Sequence, residues 1–138
     1  AAGLTLREER LGEFTEAFEK VCHELIPPAS LSRILETDGP LESGYYSLDA
    51  ARLLQQAVWG QAFPVPVFSD TFDVVQQRLL KEKHLKLRLK KDGLLFDAIQ
   101  FNFSGSAPNR IHAAFRLDIN EWNGNQTVQL LLEHLEAA

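Results

Sequence analysis

His84-Leu85-Lys86-Leu87-Arg88-Leu89-Lys90 alternates apolar and polar side chains without a slip. Successive side chains of an extended strand leave on opposite faces. Leu85, Leu87 and Leu89 are therefore expected to enter a core, while His84, Lys86, Arg88 and Lys90 face outward. Such a strand needs neighbours, and the flanking sequence supplies them. Asp92-Gly93 is a hairpin turn signal, and Leu94 to Phe103 reads as the next strand, apolar enough for partial cover on both faces. Upstream, Phe72 to Leu80 is a strand of the same period. Downstream, Ser104 to Arg110 is a loop, Ile111 to Asn120 a fourth strand, Asn123-Gly124 a turn, and Thr127 to Glu133 a fifth strand.

Five short, turn-linked strands must close on themselves or be covered, because open edges invite aggregation. A small OB-type antiparallel β-barrel is the economical solution. An open antiparallel sheet packed on a helix satisfies the same strand count. The first half of the chain has a different texture. Thr5-Leu6-Arg7-Glu8 has the form of a capping box, and Leu11, Phe14, Phe18, Val21, Cys22 and Leu25 follow at helical spacing. Pro27-Pro28 ends that helix. Leu31 to Thr37 reads as a short strand, with Asp38-Gly39 as the turn after it. Ser47 caps a second helix, whose buried face is Leu48, Ala51, Leu54 and Val58. Trp59 to Phe68 then runs as an extended, proline-stiffened strap. The fold class is mainly β with helices (α+β), a barrel preceded by two helices.

The 138 residues, 45% of them hydrophobic, suffice for one compact domain or for one domain plus the remnant of another. No apolar run reaches the roughly 20 residues of a membrane span, and Ala1-Ala2-Gly3-Leu4 lacks the form of a secretory signal. The single cysteine, Cys22, fits a reducing, cytoplasmic setting and reads as a small core residue. The chain has no methionine, so its start reads as a cut in a longer protein. The net charge of −5 hides a strong asymmetry. Arg78, Lys81, Lys83, Lys86, Arg88, Lys90 and Lys91 crowd one stretch against Glu82 alone, a local charge of +6. Seven basic and eighteen acidic residues elsewhere leave −11.

Catalytic signals are weak. His23, His84, His112 and His134 stand in no metal-ligand spacing, and no Gly-rich loop precedes a helix to cradle phosphate. Asp38, Asp97 and Asp118 read as turn formers or solvated residues rather than as a metal site. The basic strand carries more. Lys86, Arg88 and Lys90 stand about 7 Å apart, near the phosphate repeat of an extended single strand. Lysines also protect exposed strand edges, but Lys81, Lys83 and Lys91 carry the charge into both flanking turns, which edge protection does not require. Phe96, Phe101, Phe103 and Trp122 are candidate stacking platforms. Trp122 is preferred for its place beside a turn.

Several stretches together resemble the C-terminal part of the RecJ family, single-strand-specific exonucleases of the DHH phosphoesterase superfamily. Ala1-Ala2-Gly3 with Leu4 to Glu8 is similar to the end of a glycine-histidine motif of the DHHA1 domain and its following helix. Trp59 to Phe68 is similar to the strap leading into the family's OB domain, with departures at Val58, Ala62 and Val65. His84 to Leu89, Phe96 to Phe101 and Phe115 to Gly124 resemble its strands and last hairpin. The resemblance implies that residues 1–30 are a remnant of the DHHA1 domain. Residues 31–138 would be an OB-type nucleic-acid-binding domain, with a helix and strap at 47–68. It implies a parent 5′-to-3′ exonuclease of DNA repair and recombination that uses Mn²⁺ or Mg²⁺ bound elsewhere. This chain would then hold no catalytic residue, metal or cofactor. Its partners would be single-stranded DNA and single-strand-binding protein, with no membrane. The DNA contacts would fall to Arg78, Lys81, Lys83, His84, Lys86, Arg88, Lys90, Lys91 and Trp122. Partner docking alone, or a purely structural brace for the catalytic domains, is the competing role.

Overall fold

The computed structural model describes residues 2–138, in two units that divide between Leu35 and Glu36; Ala1 lies outside the described residues. In the first unit a 3-10 turn, Glu8–Arg10, runs into helix α1 (Leu11–Leu25). The expected capping box does not form: the cap position of the turn falls on Arg7 rather than Thr5, and it has no side-chain cap hydrogen bond. Ile26 is extended, as a residue before proline must be, and ends the helix. Leu11, Phe14, Phe18, Val21 and Leu25 line one side of α1 and are exposed within their unit, with Phe14 and Phe18 stacked at 5.6 Å. Cys22 is half-buried, not a core residue. No strand forms over 31–37; a 3-10 turn, Pro28–Leu31, gives way to coil.

The second unit opens with a segment tied to the barrel rather than paired as a strand. Asp38 N–H donates to the Val67 carbonyl at 2.7 Å, and Val67 N–H donates to Asp38 Oδ2 at 2.9 Å. Helix α2 (Leu48–Gln56) starts at Ser47, whose hydroxyl accepts from Ala50 N–H at 3.2 Å, and Ala51 is its buried residue. Val58 does not join the buried face: the helix has already ended, and Val58 is 97% exposed. The strap is not extended throughout either. Gly60 and Phe63 exchange two backbone hydrogen bonds, a tight turn braced by Trp59, whose indole stacks on Phe63 and donates to the Leu54 carbonyl.

The strands are β1 (Phe68–Leu80), β2 (His84–Lys91), β3 (Leu94–Gln100), β4 (Arg110–Trp122) and β5 (Asn125–Ala137). They close a barrel in the order β1-β2-β3-β5-β4, with β4 returning to pair with β1. One ladder departs from the expected antiparallel pattern: β3 and β5 run parallel, Asp97 beside Gln129 and Gln100 beside Leu132. A register shift between Val74 and Gln76 and another between Ala114 and Phe115 bend β1 and β4–β5, as closure of a small barrel demands. Leu85, Leu87 and Leu89 point inward at 2%, 1% and 0% exposure, as the alternation requires. They meet Phe72, Phe96, Ala98, Phe115 and Leu130. Tyr46 packs into this cluster from the segment before α2, its ring 4.6 Å from Phe96 and 5.8 Å from Phe115.

Candidate nucleic-acid interface

Strand register fixes the outward face of β1, β2 and β3 row by row. Arg78 lies beside Lys86, and Lys86 beside Ile99; Arg88 lies between Gln76 and Asp97; Lys90 lies between Asp73 and Leu95. Cations therefore concentrate on β1 and β2, while β3 offers Leu95, Asp97 and Ile99. Gln76, Arg78, Lys86, Arg88 and Asp97 line a shallow cleft of about 250 Å³. The Arg88 guanidinium stands 3.7 Å from the Asp97 carboxylate, but half of its side chain stays in solvent. An ion pair that exposed contributes little to stability, so Arg88 remains available to a phosphate.

The turn joining β1 to β2 extends the charge. Lys83 N–H donates to the Leu80 carbonyl at 3.1 Å, and Lys81 and Glu82 between them take left-handed backbone, φ 49° and 56°. That geometry favours Asn or Gly and costs other residues of order 1 kcal/mol each. The loop after β3 lies against this turn: Phe103 N–H donates to the Lys83 carbonyl at 2.9 Å, and Asn102 N–H donates to His84 Nδ1 at 3.2 Å. Phe101 meets His84 edge to face, with ring centroids 5.0 Å apart, and is half exposed.

The nine sequence-predicted residues are not all brought together. Arg78, Lys86, Arg88 and Lys90 share the outward face of β1–β2, His84 continues it, and Lys81 and Lys83 stand in the turn beyond. Lys91 turns the other way. Its ammonium pairs with the Asp70 carboxylate, lies 5.6 Å over the Tyr46 ring and donates to the Leu41 carbonyl, which leaves it only one-fifth exposed. Trp122 is well exposed but ends β4. The antiparallel register of β1 with β4 pairs Phe68 with Phe115, so Trp122 lies at the opposite end of that ladder from Lys81–Lys83. Of the other aromatics, Phe96 is buried and Phe103 packs on the core. Phe101 is the aromatic that stands beside the basic turn, and sequence weighed it below Trp122. Its signal was its position: it follows β3 at the outward parity of Leu95, Asp97 and Ile99. Among the described residues no group of three or more His, Cys, Asp or Glu is placed to hold a metal ion. The side chains here thus do not fit a Mn²⁺ or Mg²⁺ centre.

A closed five-stranded barrel with a parallel β3–β5 seam is an OB fold, a class that presents the β2–β3 face to oligonucleotides. The RecJ OB-domain model matches residues 37–134, and the chain belongs to that family. It is 40% identical over 143 residues to the single-stranded-DNA-specific exonuclease RecJ of Dickeya dadantii, and 35% identical over 143 residues to that of Escherichia coli. Each match covers 98% of this chain and 25% of the relative, so the chain spans a quarter of their length. The crystal structure of Thermus thermophilus RecJ with Mn²⁺ shares the fold, with a TM-score of 0.78 at 22% identity over 99% of this chain and 20% of that one.

Proposed function

We infer that the outward face of β1–β3 binds single-stranded DNA, as the C-terminal region of a cytoplasmic, RecJ-like 5′-to-3′ exonuclease of DNA repair and recombination. Residues 1–30 would be the end of its DHHA1 domain. Mn²⁺ or Mg²⁺ would act in a catalytic centre outside this chain, and the barrel would hold the strand and feed it onward. The observation that carries this reading is the outward row of Arg78, Lys86, Arg88 and Lys90, continued by Lys81 and Lys83, on the face that OB folds use. The family membership and the single-strand specificity in the relatives' names support it. A local charge of +6 on a chain of net −5 also fits, because a concentrated positive field steers a polyanion where an average would not.

Fluorescence anisotropy of the chain with single-stranded and duplex DNA across a salt series tests the reading. Binding should favour the single strand and weaken as salt rises. About three phosphate contacts would give a log–log slope near −2, at roughly 0.7 ion per contact. The DNA should stay intact with Mn²⁺ or Mg²⁺ present. A flat salt response, or equal affinity for duplex, would overturn the reading. Displacement of bound DNA by an acidic peptide would test whether a partner such as single-strand-binding protein uses the same row.

A further inference from the structure

The basic face is not uniformly charged, and its asymmetry bears on how a strand would lie on it. Crossing from β1 to β3 at three successive levels, the outward residues run Arg78–Lys86–Ile99, Gln76–Arg88–Asp97 and Asp73–Lys90–Leu95. Every cation in these rows is on β1 or β2. On β3 stand two apolar side chains, of which Leu95 is half exposed, and a carboxylate. On β5, next in the parallel ladder, Gln129 lies beside Asp97 and the half-buried Leu131 beside Ile99. At the end of the apolar strip Phe101 is 52% exposed. It is held by the His84 ring, 5.0 Å away between centroids, and by the two hydrogen bonds that its neighbours Asn102 and Phe103 make to His84 and Lys83. A single strand has the same two-sided chemistry, anionic phosphates on one side and uncharged, polarizable bases on the other.

We propose that a bound single strand lies with its phosphates along Arg78, Lys86, Arg88 and Lys90 and its bases turned over β3, where one base stacks on Phe101. The assignment deepens the DNA-binding reading above and rests on it. Asp97 enforces the division. A carboxylate in the middle of the β3 rows repels phosphate from that side. Phe101 suits stacking for two reasons. Its ring is half exposed, and His84 meets it at an interplanar angle of 78° rather than stacking on it. Its backbone is anchored, so a base meets a ring already in place. A phenylalanine on one side of a cationic row selects no particular base, so the site would take any sequence, as stacking platforms do.

The test compares anisotropy titrations of the wild-type chain, F101A, F101W and K86A/R88A with a short single strand and with an abasic strand of equal charge and length. The wild type should bind the abasic strand about tenfold more weakly, as expected for the loss of a stacked base. F101A should lose a similar factor on the normal strand, keep the wild-type salt slope and no longer distinguish the two strands; F101W should restore both affinity and discrimination. K86A/R88A should flatten the salt slope and still discriminate. The abasic comparison on the wild type needs no mutant to fold. If the wild type binds with the expected salt slope but treats the abasic strand and F101A as equivalent to the originals, the orientation is wrong and the DNA-binding reading survives. If the wild type binds neither strand, both fall.

Discussion

Lys90 and Lys91 are adjacent and chemically identical, and the fold puts them to opposite uses. Lys90 projects into solvent; Lys91 pairs with Asp70, whose carboxylate also accepts the Tyr46 hydroxyl at 3.0 Å. The distinction was legible. Lys91 has the parity of Leu85, Leu87 and Leu89, so strict alternation already assigns it to the inner face, although charge counting grouped it with the outward row. Its partner was not legible, because nothing in the local sequence ties Lys91 to a carboxylate on another strand. Replacing Asp70 by Ala strands the ammonium at the barrel rim and should cost about 3 kcal/mol in a denaturant melt. Tyr46 carries a pH consequence. Burial, and then the neighbouring Asp70 carboxylate, push its hydroxyl far above the ordinary 10.0. The folded state thus holds this proton more tightly than the unfolded one. Its contribution is complete below the ordinary tyrosine range and is lost as pH climbs beyond it. Y46F should lose about 1 kcal/mol at neutral pH for the missing hydrogen bond and fall off less steeply above pH about 10. Thermal melts across an alkaline pH series decide; a parallel fall in both proteins would count against this account.

β2 separates stability from binding because its two faces do different work. L87A opens a cavity in a small core and should cost about 2–5 kcal/mol. K86A/R88A should melt within about 1 kcal/mol of wild type yet bind DNA at least tenfold more weakly; a charge variant that melts early would show that the faces were misassigned. This element could be read from sequence because period two is a local property of seven residues. Its neighbours were harder. β1 begins at Phe68, four residues before the periodicity declares itself, because Phe68 to Phe72 pair with β4 rather than with β2. Residues 31–37 have strand-like composition but form none; the backbone hydrogen bonds that tie this segment to the start of β1 come just after it, between Asp38 and Val67 and between Ser69 and Gly39. The apolar period of α1 was equally visible, but period alone does not say what covers a face.

At the scale of the molecule, five strands and their turns were legible, while the closing ladders were not. Hairpin signals such as Asp92-Gly93 and Asn123-Gly124 report only neighbours in sequence. They predict β2 against β3 and β4 against β5, and are silent on β1 against β4 or β3 against β5. For the same reason the outward rows on β1–β2 could be foreseen, whereas the standing of Phe101 and the remoteness of Trp122 could not. The parallel seam has a further consequence, for time rather than for place. Hairpins close over a few residues, on the order of 1–10 μs, but Ala98 reaches Leu130 only after a long loop has been ordered. The seam should therefore form after the main folding barrier, with the hairpins assembled before it. Leu130, fully buried on β5, reports on the seam. Leu130→Ala should quicken unfolding far more than it slows refolding, whereas Gly93→Ala, which strains a turn at φ 80°, should mainly retard refolding. Stopped-flow kinetics in denaturant read both arms. A barrel joined last along one seam is also the barrel that opens first there, so its lifetime as a closed ring is set by four residue pairs, from Asp97–Gln129 to Gln100–Leu132.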